Sequence, residues 1–142
     1  TILFVDRTNA CLSLMAEAIG NKRYGESATF MSAGSEPADE VNPDLVRFLD
    51  DRGIAADEAA PRAVETLKDQ LQSVDIVIRV GDMSGELLKQ LPFHTSAFHW
   101  EASEPGDADS DEQSMKTLEE NYRFLSINIE DLIDTLVGDD AN

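Results

Sequence analysis

The loop after the first apolar segment carries the clearest chemical signal in this chain. Residues 1–5 are an apolar run, and a short polar loop leads from them into a segment with a helical pattern. Backbone N–H groups and the helix dipole bind anions at such a strand–loop–helix junction. The sequence therefore predicts an anion loop, and its residues are Asp6, Arg7, Thr8, Asn9, Ala10, Cys11, Leu12 and Ser13.

The elements that must position this loop alternate between strands and helices. Apolar runs predict strands over 1–5, 28–35, 74–80 and 95–100. Helical patterns are found over 13–22, 42–53, 63–71, 84–91 and in a last helix ending near 137. The alternation predicts an α/β fold in a single domain, 1–142, with a four-stranded parallel sheet between two helical layers. Ligands of such sheets bind beyond the carboxyl ends of the strands, where the anion loop would lie.

Local signals predict how three of the helices begin and end. Ser13 is the expected N-cap of the first helix, and Gly20 with Asn21 would end it. Asn42 would cap the second helix, with a proline at its first position and a glycine after its end. In the last helix an apolar stripe faces the core, widened by Ile127, Ile133 and Val137 and followed by a frayed tail from residue 138. The stripe comprises Leu118, Tyr122, Leu125, Ile129, Leu132 and Leu136.

Charge and composition limit the partners of the protein. Asp and Glu number 29 against 11 Lys and Arg, so the net charge is −18. This charge argues against binding to nucleic acid or to anionic membranes. Such a surface could mark adaptation to a salty cytoplasm, and the alternative that we favour is an ordinary acidic, soluble protein. No apolar run is long enough to span a membrane, and the first residues lack the features of a signal peptide.

The chain has one cysteine, Cys11, which forbids an intrachain disulfide and fits a cytoplasmic location. Cys11 is either a small buried residue or, at a helix N-terminus, a redox thiol. His94 and His99 flank a predicted strand and would point to different sides of it, so no metal site is expected. The acidic loop 101–113 has three possible interpretations. It is a solvated face of the protein, a weak binding site for a cation, or a surface that binds a basic partner.

Several segments together resemble the low-molecular-weight protein tyrosine phosphatases and the related thioredoxin-coupled arsenate reductases. They are FVDRTNACLSLMAEA at 4–18, SAGSEP at 32–37, VNPDLVRFLDDRGI at 41–54, DIVIRVGDM at 75–83 and HWEASEPGD at 99–107. The resemblance implies the fold of that family. It aligns the family's nucleophilic cysteine with Asp6, its phosphate-binding arginine with Leu12 and its general acid with Glu104. The additional cysteine of an arsenate reductase is absent, since Val80 and Gly81 occupy that region.

These replacements remove the groups that the family's chemistry requires. The reaction needs a thiolate, a guanidinium that stabilises the transferring group and an acid for the leaving oxygen. We therefore expect a degenerate homologue without a cofactor, with weak or no anion binding, that acts on a protein partner as a binding or regulatory domain. The alternative is an active phosphomonoesterase or arsenate reductase-like enzyme that uses Asp6 or another residue.

Asp6 has two possible roles in this loop. Its carboxylate could accept the loop N–H groups itself and fill the anion site from within, with Asn9 shaping the loop. It could instead be a nucleophile, which would require a metal ion to offset charge repulsion, and Asp82 could help to bind one. Arg7 could turn inward to bind an anion, although an exposed loop arginine normally faces solvent.

Overall fold

The computed structural model describes residues 1–9, 11–54, 60–64, 66, 70, 73–80, 96–100 and 111–140, with the side chains of the last helix described over 113–136. The elements are β1 (Ile2–Asp6), α1 (Leu12–Tyr24), β2 (Phe30–Gly34), α2 (Pro43–Asp51), β3 (Ile76–Val80), β4 (Ser96–Trp100) and α3 (Asp111–Asp140). The predicted helix 84–91 and residues 101–110 of the predicted acidic loop 101–113 lie outside the described residues.

The four strands form one parallel sheet in the order β2-β1-β3-β4. β1 is an inner strand and is buried along its whole length, as its uninterrupted apolar run predicts. One face of β1 packs against α1, α2 and α3 through Ile2 and Phe4. The other face, through Leu3 and Val5, packs against Val64 and other residues outside the three helices. The predicted α/β class with a four-stranded parallel sheet is confirmed.

The first helix differs from its sequence prediction at both ends. Cys11, and not Ser13, is at the N-cap, and it makes no side-chain cap hydrogen bond. The helix continues past Gly20 and Asn21 because both are used in packing against β2. A Cβ on Gly20 would lie 2.5 Å from the Phe30 ring, and Asn21 donates to the Phe30 carbonyl at 3.3 Å. Tertiary contact with the strand therefore overrides two residues that normally end a helix.

The second helix follows its local signals. The side chain of Asn42 accepts a hydrogen bond from the backbone N–H of Asp44 at 2.9 Å, and Pro43 is the first helical residue. Beyond the end of the helix, Gly53 has a φ of 74°. The predicted cap and stop signals are confirmed, because each acts over only two or three residues.

The last helix buries most, but not all, of the predicted stripe. Leu118, Leu125, Ile129 and Ile133 are buried, and Tyr122 and Leu132 pack against them as partly buried residues. Ile127 is 60 % exposed and Leu136 is 36 % exposed, so the prediction that Ile127 widens the core-facing stripe was wrong. Buried Ser114, Asn121 and Ser126 extend the packed face instead.

The last helix is longer than predicted at both ends. It begins at Asp111, inside the predicted acidic loop, and continues to Asp140, through part of the predicted tail.

No helix in the described part of the chain is both long enough and apolar enough to cross a lipid bilayer.

Two isoleucines of α3 provide a matched test of this packing. Replacement of buried Ile129 by Ala removes core contacts and should lower the free energy of unfolding by about 2–4 kcal/mol. The same replacement at exposed Ile127 should cost less than about 1 kcal/mol. Urea unfolding followed by circular dichroism measures both variants. Equal losses at the two positions would contradict the observed orientation of the helix.

Candidate anion-loop site

The predicted loop lies at the carboxyl end of an inner strand. Asp6 is the last residue of β1, and α1 begins at Leu12. The first N–H groups of a helix have no partner within that helix, so a polar group placed beneath this N-terminus can accept from them.

The carboxylate of Asp6 occupies that position. Its side chain is buried, with 1 % of its surface exposed. One carboxylate oxygen, Oδ1, accepts from the backbone N–H of Asn9 at 2.6 Å, and Oδ2 accepts from the backbone N–H of Ser13 at 3.1 Å. Both oxygens are thus engaged by donors of the loop and of the first turn of α1. A bound anion would need donors of this kind, so the residue competes with any external ligand for them.

Burial controls the protonation of this carboxylate. Desolvation raises the pKa of Asp6 above its ordinary value, whereas the hydrogen bonds from Ser13 and Asn9 act in the opposite direction. The desolvation effect is the larger, so the folded protein holds the proton on Asp6 more tightly than the unfolded chain does.

Asn9 gives the loop its shape. Its φ of 51° lies in the left-handed region, which asparagine adopts more readily than most residues. The side-chain amide donates to Ser13 Oγ at 2.7 Å, and its carbonyl oxygen accepts from the backbone N–H of Arg62 at 2.8 Å. One buried side chain therefore connects the loop, the start of α1 and a segment that is distant in sequence.

A second loop supports the anion loop from outside. The backbone N–H groups of Ser35, Glu36 and Ala38 donate to the carbonyls of Asp6, Arg7 and Thr8, at 3.2, 2.7 and 2.9 Å respectively. These bonds continue the pairing of β1 and β2 beyond the ends of the strands. The close approach depends on Gly34, because a Cβ there would lie 2.8 Å from the Arg7 carbonyl oxygen and 2.9 Å from the Asn9 nitrogen.

Glu17, Ser32 and Arg62 form a polar group behind the loop that the sequence analysis missed. Ser32 Oγ donates to Glu17 Oε2 at 3.3 Å, and Arg62 Nη1 lies 3.7 Å from Glu17 Oε1. Burial raises the pKa of Glu17, while the charge of Arg62 and the hydrogen bonds of Ser32 oppose that effect. Glu17 is four residues after Ser13, and this spacing was the available signal that the two share a helix face.

The other predicted loop residues are in less reactive positions. Leu12 and Cys11 are buried in the hydrophobic core, and Thr8 is partly buried. Arg7 does not turn inward, since its side chain is 68 % exposed and forms an ion pair with Glu36 at 3.4 Å.

The remaining candidate residues contribute nothing further to the described site. His99 is on the exposed strand β4. Four others lie outside the described residues: Ala10, Asp82, His94 and Glu104. Within the described ranges, no three His, Cys, Asp or Glu side chains are grouped to hold a metal ion.

The comparison with known protein families gives a clear assignment. The model of the low molecular weight phosphotyrosine protein phosphatases matches residues 1–137. This chain belongs to that family.

Relatives that are named arsenate reductases cover most of the chain. The arsenate reductase of Brevibacillus brevis is 31 % identical over 105 residues, which are 74 % of this chain and 76 % of that protein. A putative arsenate reductase of Halobacterium salinarum is 28 % identical and covers 96 % of this chain and 93 % of its own length. An arsenate reductase from Archaeoglobus fulgidus, known from its crystal structure, is 28 % identical in sequence to this chain. The two folds superpose with a TM-score of 0.73, and the match covers 92 % of this chain and 99 % of the A. fulgidus chain.

Gly34 offers a direct test of the support for the loop. In Gly34→Ala the added Cβ meets backbone atoms of the loop, so we expect a loss of about 1–3 kcal/mol in the free energy of unfolding. Gly53→Asn is the control, because nothing lies within 4 Å of a Cβ there and asparagine tolerates the positive φ. Chemical denaturation of both variants compares them. A control as damaged as Gly34→Ala would count against a specific role for this contact.

The raised pKa of Asp6 predicts a pH dependence of stability. Between the unfolded and the folded pKa the folded state holds more protons, so the free energy of unfolding falls as pH rises through that interval. Asp6→Asn has no such titration. The stability of the native protein relative to Asp6→Asn should therefore be greatest at acidic pH and decline toward neutral pH, by about 1.4 kcal/mol for each unit of pKa shift.

Urea unfolding of both proteins at several pH values between 4 and 8 measures this difference. The contribution of Glu17 cancels because both proteins contain it. A difference that grows with pH would mean that ionised Asp6 is net stabilised by its donors, which contradicts the sign given above.

Proposed function

We propose that this member of the family is a non-catalytic homologue that acts as a binding or regulatory domain for a protein partner. The observation that carries this proposal is the position of Asp6, whose two carboxylate oxygens accept from Asn9 and Ser13 at the centre of the anion loop. The carboxyl group of Asp6 already occupies these donors, which leaves anion binding weak or absent.

The residues aligned with the catalytic positions of the family support the same conclusion. A carboxylate whose oxygens are both hydrogen-bonded and buried has no exposed lone pair with which to attack a substrate. Leu12 stands in place of the phosphate-binding arginine and packs in the core, where it offers no donor to a developing negative charge. Loss of a single such donor commonly lowers turnover by about 100-fold or more.

Cys11 does not replace the missing nucleophile in this proposal. Its thiol is buried at the N-cap of α1, five residues after Asp6 in sequence. A thiol reacts as the thiolate and needs access to its substrate, and burial in apolar surroundings opposes both.

Hydrolysis of para-nitrophenyl phosphate tests the proposal. The native protein should be inert, with and without magnesium, while the double variant Asp6→Cys, Leu12→Arg should gain activity because the scaffold of the loop is retained. Arg7→Gln is the matched control for a change of charge in the loop and should remain inert. Arsenate reduction coupled to a thiol reductant is measured on the same set of proteins.

Turnover by the native protein would overturn the proposal, and two further variants then identify the nucleophile. Loss of that activity in Cys11→Ser would assign it to the thiol, and loss in Asp6→Asn would assign it to the carboxylate. If the native protein and the double variant are both inert, the inactivity stands, and the shape of the loop as well as its chemistry has departed from the family.

A further inference from the structure

Two arginines from different helices converge on one tyrosine of α3. Arg23, in the last turn of α1, donates from Nη2 to Tyr122 Oη at 3.1 Å, and its Cζ lies 5.8 Å from the centre of the Tyr122 ring. Arg52, at the end of α2, places its Cζ 5.2 Å from the same ring. Arg23 is three turns along α1 from Leu12, about 16 Å at 1.5 Å per residue, so this cluster is separate from the anion loop.

Aromatic packing holds Arg52 in place. Its Cζ lies 3.6 Å from the centre of the Phe48 ring, and its Nη1 donates to the Phe48 carbonyl at 3.4 Å. The rings of Phe48 and Tyr122 pack edge to face at 5.6 Å. A guanidinium that stacks on a ring keeps its N–H donors in its own plane, where they can bind a carboxylate through two hydrogen bonds.

Neither of these guanidiniums forms an ion pair with a carboxylate of the described residues. By contrast, Arg7, Arg47, Arg62 and Arg123 each form such a pair. The dipoles of α1 and α2 favour a cation at each helix end, but they do not require that both cations meet at one ring. Within the described residues of a chain that has 29 acidic side chains, two adjacent exposed arginines with no carboxylate paired to them are a local exception to the negative charge of the surface.

We propose that Arg23, Arg52 and Tyr122 form a docking surface for an acidic segment of a partner protein. Arginine and tyrosine, together with tryptophan, are enriched at the residues that contribute most of the binding energy of protein interfaces. The net charge of −18 opposes such a partner at long range, but salt at 0.15 M limits that repulsion to about 8 Å. Recognition then depends on contact between carboxylates and the two guanidiniums. The proposal goes beyond the one made for the anion loop and does not depend on whether that loop is active.

Binding of a hexaglutamate peptide to the full chain tests this surface. The titration is followed at 0.15 M salt by ¹H–¹⁵N NMR, including the side-chain N–H signals of arginine. Those of Arg23 and Arg52 should shift first. Arg23→Gln and Arg52→Gln should each raise the dissociation constant about fivefold, the loss of one charge-assisted contact. Arg47→Gln and Arg123→Gln remove the same charge from paired arginines on α2 and α3, and should change it less than twofold.

Further variants separate a binding defect from a folding defect. Arg52→Lys keeps the charge but loses the planar donor group, so it should fold and still bind weakly. Tyr122→Phe keeps the ring and removes only the hydroxyl. Thermal unfolding is recorded for every variant, and Arg52→Lys replaces Arg52→Gln if the latter does not fold.

Three results would overturn the proposal. The first is the absence of binding at millimolar concentrations of the peptide. The second is an equal loss of peptide affinity in all four glutamine variants, which would indicate only general electrostatic attraction. The third is an equal response to inorganic sulfate at matched ionic strength, which would assign the cluster to a small anion. Because none of these measurements involves phosphatase turnover, the two proposals can fail independently.

Discussion

The hydrogen bonds from Asn9 and Ser13 to the carboxylate of Asp6 are the interaction on which the loop depends. An inner strand carries a charged residue to a place with almost no solvent, and an isolated charge there would be costly. Donors from the loop and from α1 offset part of that cost. In return, the carboxylate satisfies N–H groups that the start of a helix cannot pair internally. The loop therefore has an acceptor for its N–H groups built into its own chain.

The surrounding residues hold the loop around that carboxylate. Asn9 takes a left-handed conformation and connects to Arg62, while Gly34 allows the neighbouring loop to approach within backbone contact. These are roles of shape, and they need neither a thiol nor a guanidinium. The shape of the loop can therefore be retained independently of the groups that would carry its chemistry.

The charge of the chain has different consequences at two places. Beneath the surface, Asp6 is buried and Glu17 is partly buried, and desolvation raises the pKa of both carboxylates. On the surface, Arg23 and Arg52 meet at Tyr122, and neither pairs with a carboxylate of the described residues. A net charge describes long-range behaviour, whereas recognition at either place depends on which groups the fold brings within a few ångströms of each other.

Local sequence patterns were sufficient to predict the features that act over a few residues: the apolar run of β1, the Asn42 cap, the periodicity of α3, and the motifs that identify the family. The path of α1 through Gly20 and the exposure of Ile127 follow instead from packing, since Phe30 lies against Gly20 and the core takes a different face of α3. The tertiary structure also decided the pairing of Glu17 with Arg62 and of Asn9 with the backbone of Arg62. Caps and periodicity are set by near neighbours along the chain, whereas these contacts join residues between 10 and 53 positions apart, which only the packed fold brings together.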